Sequence, residues 1–391
     1  MSKNMWVSKM SNELIIANKS SFTETLETVP LNEIPQFRII GSKYNLLQEI
    51  YNTLKKEQIT GYSFFDVFSG SAIVGRFFKR MFSVISNDNL YFSYVLQRAL
   101  IVINKYPSFS NLNLKNLSAD PEIRIYQVLE YLNNAKGVEG FVYKHYTPAS
   151  KDIDGVERKY FSIENGKKID AIRIKIEEWF KNNYISDDEY FYLIASLLFA
   201  VQKVANISGT YGAFNKFWDP RSYKTITLKY IEIIPSKFDH KAYNEDIFNL
   251  LKEISCDVAY IDPPYNSRQY IDNYHLLETI AKYDNPEIKG KTGLREGRDN
   301  KKSVFCDKEN VKNAFLKLLT ELKTKYVLIS YNSDGLLSKN QIIQILKESE
   351  FERVKCYEIP YRRFKSNNNS KKSELSEYLF VGVKMKKNDK V

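Results

Sequence analysis

Three cysteines, three histidines and no run of eighteen apolar residues occur in the 391-residue chain. Cys256, Cys306 and Cys356 fall in no CxxC spacing, which excludes a disulfide-stapled scaffold and a cysteine zinc site. His145, His240 and His275 are scattered singly, so no metal is expected. Without a long apolar run there is no membrane-spanning helix. The opening stretch MSKNMWVSKMSNELII also lacks the apolar core of a secretory signal, and the expectation is a cytoplasmic protein. What is present is enough apolar residue, 43%, to build a sizeable core, and a surplus of base. Lys plus Arg number 58 against 47 Asp plus Glu, a net charge of +11, alongside 28 Tyr, 24 Phe and 3 Trp. A positive surface attracts a polyanion and aromatic faces offer stacking platforms for bases. Biased codon usage is the plain alternative for a chain so rich in lysine, asparagine and isoleucine.

No internal repeat is visible. Residues 1–33 show no clear period and read as an extension. Phe64-Phe65-Asp66-Val67-Phe68 is a short apolar strand running into the turn Ser69-Gly70-Ser71, followed by a helix over 72–80 and a second strand, Ser83-Val84-Ile85-Ser86. Strand, turn, helix, strand is the βαβ unit of a parallel sheet. Between residues 108 and 235 helical patches dominate, at 122–133, 166–182 and 187–205. The βα rhythm then resumes with a strand at 258–261, an amphipathic helix over 309–325 and a strand at 326–330. A closing antiparallel pair is expected at 353–361 and 377–384. The chain therefore reads as one discontinuous α/β domain, 34–107 with 236–391, interrupted by a largely helical insertion at 108–235.

Asp66 to Ala72 lies where ligands bind in open α/β sheets, at a strand's C-terminal end. Asp88, closing the next strand, is placed to accept hydrogen bonds from ribose hydroxyls. The glycine pattern is not GxGxxG, which disfavours a nicotinamide dehydrogenase. A carboxylate at Asp66 would repel phosphate and would suit an ammonium group. A nucleoside that carries an amino acid and no phosphate is S-adenosylmethionine. The plain alternative is a strand–turn–helix with an acid at its start.

Asp262-Pro263-Pro264-Tyr265 follows the strand at 258–261, and two prolines cannot belong to a central strand. They fix the local backbone and with it the direction of the Pro263 carbonyl. A carboxylate, a carbonyl and an aromatic ring can hold one flat amine-bearing ring. The exocyclic nitrogen of adenine is a poor nucleophile because its lone pair is delocalised. Hydrogen bonds from its two N–H groups to Asp262 and the Pro263 carbonyl would free that pair to attack a sulfonium methyl in line, while Tyr265 stacks on the base. The base must leave the double helix to get there. A solvent-exposed Pro-Pro turn is the alternative.

With these residues in place, the chain resembles the adenine-specific DNA methyltransferases of the Dam-like, alpha-ordered group, which includes many restriction–modification methylases. Arg38-Ile39-Ile40-Gly41-Ser42-Lys43 looks like that group's N-terminal cofactor motif. Asp66 to Ala72 resembles its next cofactor motif, Asp88-Asn89 its ribose-binding acid, and Asp262-Pro263-Pro264-Tyr265 its catalytic tetrad. The stretches 203–214, 266–281 and Ile329-Ser330-Tyr331-Asn332 are also similar. Two departures are Ala72, where many relatives carry a second glycine, and Ile39, where Dam has tryptophan. The resemblance implies a Rossmann-like S-adenosylmethionine-dependent methyltransferase sheet, with S-adenosylhomocysteine as product. It implies a cofactor site of Ile39, Gly41, Lys43, Asp66, Phe68, Gly70, Ser71, Asp88, Asn89 and Asp246, the last being the acid near the cofactor's adenine. It implies a catalytic site of Asp262, Pro263, Pro264 and Tyr265.

By the same resemblance the insertion reads the target in double-stranded DNA, and a restriction endonuclease is a functional counterpart. Two basic loops are candidates for DNA contact. One, at 289–302, has three glycines and no apolar period and is expected to be mobile; it carries Arg295 and Arg298. The other, at 361–372, carries Arg362, Arg363 and Lys365. Arginine reads guanine edges or binds phosphates; the plain alternative for either loop is an ordinary solvated surface. His275, on the helix after the tetrad, is expected to pack. Methylation of RNA adenine or of cytosine's amine, and a binding-only module, are the competing expectations.

Overall fold

The computed structural model describes residues 36–361 and 375–384. The extension at 1–33 and Arg362, Arg363 and Lys365 lie outside the described residues. The main sheet has seven strands: β1 (Ser63–Asp66), β2 (Ser83–Asn87), β3 (Lys241–Tyr243), β4 (Ser255–Ile261), β7 (Lys323–Asn332), β8 (Phe351–Tyr361) and β9 (Leu375–Lys384). A separate two-residue hairpin comprises β5 (Ile288–Lys289) and β6 (Leu294–Arg295). The sheet order is β3-β2-β1-β4-β7-β9-β8, parallel from β3 through β7 and closed by antiparallel β9 and β8. The chain leaves β1 toward one edge and returns to begin the other half at β4. The C-terminal ends of β1 and β4 therefore flank the crevice where strand order reverses.

The central strands are apolar on both faces because both faces are covered. Phe64, Tyr260 and Leu328 point into one core while Phe65, Ala259, Ile261, Val327 and Ile329 point into the other. Helices α1 (Leu47–Lys56), α2 (Ile73–Phe78) and α3 (Tyr91–Gln97) pack on the first face. The insertion contributes α4 (Pro121–Asn133), α5 (Phe141–Tyr146), α6 (Lys151–Asp154), α7 (Ile163–Lys181) and α8 (Asp187–Val204). Their starts are written locally: Asp120 caps α4 with Pro121 in the first turn, Ser162 caps α7, and Ser186 with Glu189 forms a capping box on α8. Beyond β3 come α9 (Ile247–Leu250), α10 (Tyr270–Lys282), α11 (Val311–Glu321) and α12 (Lys339–Glu348). Helices α9, α11 and α12 cover the second face through Ile247, Val311, Phe315, Leu318, Ile342, Ile345 and Leu346.

The insertion is not a separate ball. Ile125, Leu129, Ile172, Ile176, Leu193 and Leu197 from its helices, and Ile226 beyond them, belong to the same core as Phe64, Val84 and Leu277. Its 289–302 neighbour is also more built than its glycines suggest. Tyr146 and Tyr160 donate from their hydroxyls to the Gly293 and Thr292 carbonyls, both at 3.0 Å, and Arg158 Nη2 donates to the Gly290 carbonyl at 3.0 Å. Buried side chains of the insertion thus hold the backbone of the loop expected to be mobile.

Candidate active site

The turn after β1 is shaped by hydrogen bonds to Asp88 as much as by its own sequence. Gly70 N–H donates to Asp88 Oδ2 at 2.9 Å and Leu90 N–H to Asp88 Oδ1 at 2.9 Å, which lashes the β1 turn to the end of β2. Gly70 sits at φ +51°, and a Cβ there would lie 3.0 Å from Ile39 Cδ1, so backbone and Ile39 face each other across a gap only glycine leaves open. Ala72 sits at φ +61°, a left-handed conformation costing an alanine about 1 kcal/mol. A glycine would adopt this conformation without that strain.

Asp66 ends β1 and is buried. Its Oδ2 accepts from Ser69 Oγ at 3.0 Å and from Gly75 N–H at 3.1 Å. Burial pushes its carboxyl up to about 7 against those two hydrogen bonds, with the Asp262 and Asp88 charges adding to the rise. Burial also raises Asp88. Asp246 caps α9 through Phe248 N–H at 2.9 Å, and Asn89 Oδ1 accepts from Lys301 Nζ at 3.0 Å.

These groups line one cleft enclosing about 1040 Å³, open solvent at its mouth included. All ten residues read from sequence as cofactor-binding line it: Ile39, Gly41, Lys43, Asp66, Phe68, Gly70, Ser71, Asp88, Asn89 and Asp246. Asp262 and Pro264 line it too, with Pro263 and Tyr265 adjoining them in the chain. Among the described residues, the carboxylates of Asp66, Asp88, Glu245, Asp246 and Asp262 share the lining with two basic residues, Lys43 and Lys301. Such a cleft favours a cationic ligand and disfavours a diphosphate. Apolar walls from Ile39, Phe68, Phe248 and Phe305 suit a flat ring.

At the inner end stands a buried charged cluster. Lys43 Nζ lies 2.8 Å from Asp262 Oδ1 and 3.3 Å from Glu377 Oε1, and donates to the Gly41 carbonyl at 2.9 Å. The Lys43 side chain is 5% exposed and that of Asp262 16%. Burial alone would lower Lys43; the charges of Asp262 and Glu377 more than reverse that and hold it above its ordinary range. Burial pushes the Asp262 carboxyl up to about 6, Lys43 pulling against it and Glu377 with it. Gly41 takes φ +79°, with the Tyr265 ring and the Tyr270 hydroxyl close over its backbone. Ile40 N–H donates to the Tyr274 hydroxyl at 2.7 Å and its carbonyl accepts from Tyr270 at 3.2 Å, so two tyrosines of α10 hold the Lys43 segment against the tetrad.

Glu377, Tyr270, Tyr274, Phe305 and Lys301 were not identified from sequence. The signal for Glu377 was a lone acid at the head of the apolar run Tyr378-Leu379-Phe380-Val381, but only the β7–β9 register, pairing Asn332 with Glu377, brings it to Asp262.

Arg295 requires a correction. It is 7% exposed, with Nη2 2.6 Å from Asp284 Oδ2 and Nη1 within 3.5 Å of Thr279 Oγ1, so its guanidinium is spent inside the fold. Arg298 pairs with Asp272 at 2.5 Å and keeps a partly exposed side chain. His275 is buried, its Nε2 2.9 Å from the Tyr211 carbonyl, and burial lowers it to about 4. Among the described residues no group of His, Cys, Asp and Glu is arranged to hold a metal ion, and no helix is long and apolar enough to cross a membrane.

A parallel sheet closed by an antiparallel hairpin, with an acidic ring-sized cleft at its switch point, is the architecture of a Rossmann-like methyltransferase. Residues 40–345 match the profile of the D12 class N6 adenine-specific DNA methyltransferases, and the chain belongs to that family. It is 43% identical over 348 residues to the type II methyltransferase M.FokI of Planomicrobium okeanokoites, covering 88% of this chain and 52% of that one. It is 38% identical to the modification methylase StsI of Streptococcus sanguinis, covering 88% of this chain and 51% of that protein. The chain thus spans about half the length of these relatives. The type II methyltransferase M.NlaIII of Neisseria lactamica is 40% identical, with 88% of this chain and 98% of that one aligned.

Proposed function

We propose that the protein transfers a methyl group from S-adenosylmethionine to the exocyclic amino group of adenine in a short double-stranded DNA site. We further propose that it is the modification partner of a restriction endonuclease, as the names of its relatives suggest. The observation that carries the reaction is the Lys43–Asp262 pair at the inner end of a net-acidic cleft. Gly70, Ser71 and Asp66 would hold the cofactor's amino-acid end, Asp88 its ribose, and Asp246 with Ile39, Phe68 and Phe248 its adenine. When bound, S-adenosylmethionine supplies a methyl group on a positively charged sulfur.

The chain's own residues prepare the nucleophile. Lys43, unable to give up its proton so close to two carboxylates, keeps Asp262 ionised and oriented by one short contact. Asp262 then accepts one amino hydrogen of adenine and the Pro263 carbonyl the other, drawing the nitrogen's lone pair out of the ring. Tyr265 stacks on the base. Positive charge develops on the nitrogen beside a cluster with two carboxylates and one ammonium, so the field there stabilises it. The surplus proton has an acceptor in Asp262.

Residues 108–235 are proposed to read the target, with Arg298 and the stretch holding Arg362, Arg363 and Lys365 meeting the DNA. Incubation with labelled S-adenosylmethionine and unmethylated DNA of diverse sequence, followed by single-nucleotide mapping, tests the proposal. Methyladenine in one short context is expected, and its loss in a folded Asp262→Ala variant. Label on RNA or on cytosine, or full activity in Asp262→Ala, would overturn it.

A further inference from the structure

Lys43 and Asp262 account for two corners of the buried cluster, and Glu377 is the third. Glu377 comes from β9, far along the chain, and is nonetheless placed with care. Its Oε1 receives Ser330 Oγ at 2.9 Å and lies 3.3 Å from Lys43 Nζ; its Oε2 receives Asn332 Nδ2 at 3.3 Å. Both donors project from β7, the strand paired to β4 on one side and β9 on the other. Glu377 is 4% exposed. A carboxylate so far from water is costly unless something repays the desolvation, and an apolar side chain in this strand would be cheaper for folding alone. What the arrangement provides is a fixed second negative charge against the ammonium that touches Asp262.

We propose that Glu377 is a positioning residue for methyl transfer: it holds the Lys43 ammonium on Asp262 and keeps the cluster net negative where the amino nitrogen gains positive charge. This rests on the reading of the cleft as an adenine amino-methyltransferase site. The arithmetic of charge is simple. With Glu377 the cluster carries two negative charges and one positive; with a neutral side chain there it is balanced. The nitrogen then becomes cationic beside a neutral pair rather than a net anion. The titratable groups gathered here are Lys43 from the segment before α1, Asp262 after β4, Tyr260 within β4, Tyr270 on α10, and Asp66 at the end of β1; Tyr270 and Asp66 both feel the Asp262 charge. Of these, Asp262 is the one whose ionisation Glu377 opposes. Removing the Glu377 charge must therefore let Asp262 ionise at lower pH. A residue that only filled space would leave that titration unmoved.

The test compares wild type with Glu377→Gln, which keeps size and burial and removes the charge. Single-turnover methyl transfer is followed against pH, with the dissociation constant for S-adenosylmethionine measured by calorimetry. The proposal expects a methyl-transfer rate about tenfold lower, unchanged cofactor affinity, and an acid limb moved to lower pH. In the free protein, carbon-13 aspartate resonances, with Asp262 assigned from Asp262→Asn, report the same downward movement without any turnover. An unmoved limb and titration, or loss of rate matched by loss of cofactor binding and of melting temperature, would overturn it. If Glu377→Gln does not fold, Ser330→Ala removes one bond to Glu377 and keeps every charge. It is expected to slow transfer with cofactor affinity intact, and a wild-type rate would overturn the proposal. Wild-type protein that methylates no DNA adenine would instead sink the underlying reading, while the resonance titration would still judge Glu377.

Discussion

Replacing Lys43 by methionine removes the cation that touches Asp262 and leaves a side chain of similar length. The carboxylates that the ammonium had served at 2.8 Å and 3.3 Å then face each other without compensation. At an effective dielectric near 20, a pair of unit charges about 4 Å apart is worth roughly 4 kcal/mol. That is about a thousandfold in the proton affinity of Asp262. The carboxyl starts from about 6, so in the variant only about one molecule in thirty would hold it ionised at pH 7.5. If the ionised form is what accepts the amino hydrogen, the variant is slow near neutrality but recovers as pH rises. Single-turnover methyl transfer between pH 6.5 and 9.5 reads this directly. Wild type is expected to be flat above its acid limb, while Lys43→Met climbs about tenfold per pH step across most of the range. A Lys43→Met profile parallel to wild type, however low, would refute the claim that Lys43 acts by keeping Asp262 charged.

Gly70→Ala places a methyl 3.0 Å from Ile39 Cδ1 at φ +51°. It is expected to weaken S-adenosylmethionine binding about tenfold through strain and lost space; unchanged affinity by calorimetry would remove Gly70 from the cofactor wall. Arg295→Ala is expected to cost about 1–3 kcal/mol of stability by denaturant melts while the salt dependence of DNA binding stays as in wild type. A shallower salt slope with unaltered stability would return Arg295 to the DNA surface. The cofactor-free protein should lose thermal stability as pH rises from about 4 to 7 and level off above that. The reason is that Asp66 has its folded-state pKa raised to about 7, so the stability it contributes is full below its ordinary range and lost as pH climbs through that value. Saturating S-adenosylmethionine, whose ammonium compensates the charge, should flatten the decline, and a decline equally steep with and without it would count against the pairing.

Much of the sheet was legible because its central strands are short apolar runs, buried on both faces, punctuated by motif residues. Phe64-Phe65, Val258 to Ile261 and Tyr326 to Ser330 all lie in strands, and the closing antiparallel pair falls where it was expected. Less legible were elements that exist only by pairing. β3 is three half-exposed residues, Lys241-Ala242-Tyr243, that become a strand because β2 offers them a ladder. The helix expected over 309–325 stops at Glu321 because Lys323 pairs with Ser255 and begins β7. At the site, residues inside recognisable turns could be named one by one. Glu377, Tyr270 and Tyr274 could not, since what recruits them is strand register and helix docking, neither of which leaves a local pattern.

The common core of sheet and insertion bears on how recognition can change. An insertion with its own core can be exchanged like a cartridge, the host fold hardly noticing. Here Ile125, Ile172, Leu193 and Leu197 lean on the same apolar mass as Phe64 and Leu277, so a transplanted 108–235 segment would arrive missing part of its foundation and would leave the sheet with gaps. Under the proposed reading of 108–235 as the target-recognition segment, new target sequences are more accessible by altering exposed loops than by swapping the segment whole. Chimaeras joined at its boundaries should fail first by unfolding, before any question of which bases they read.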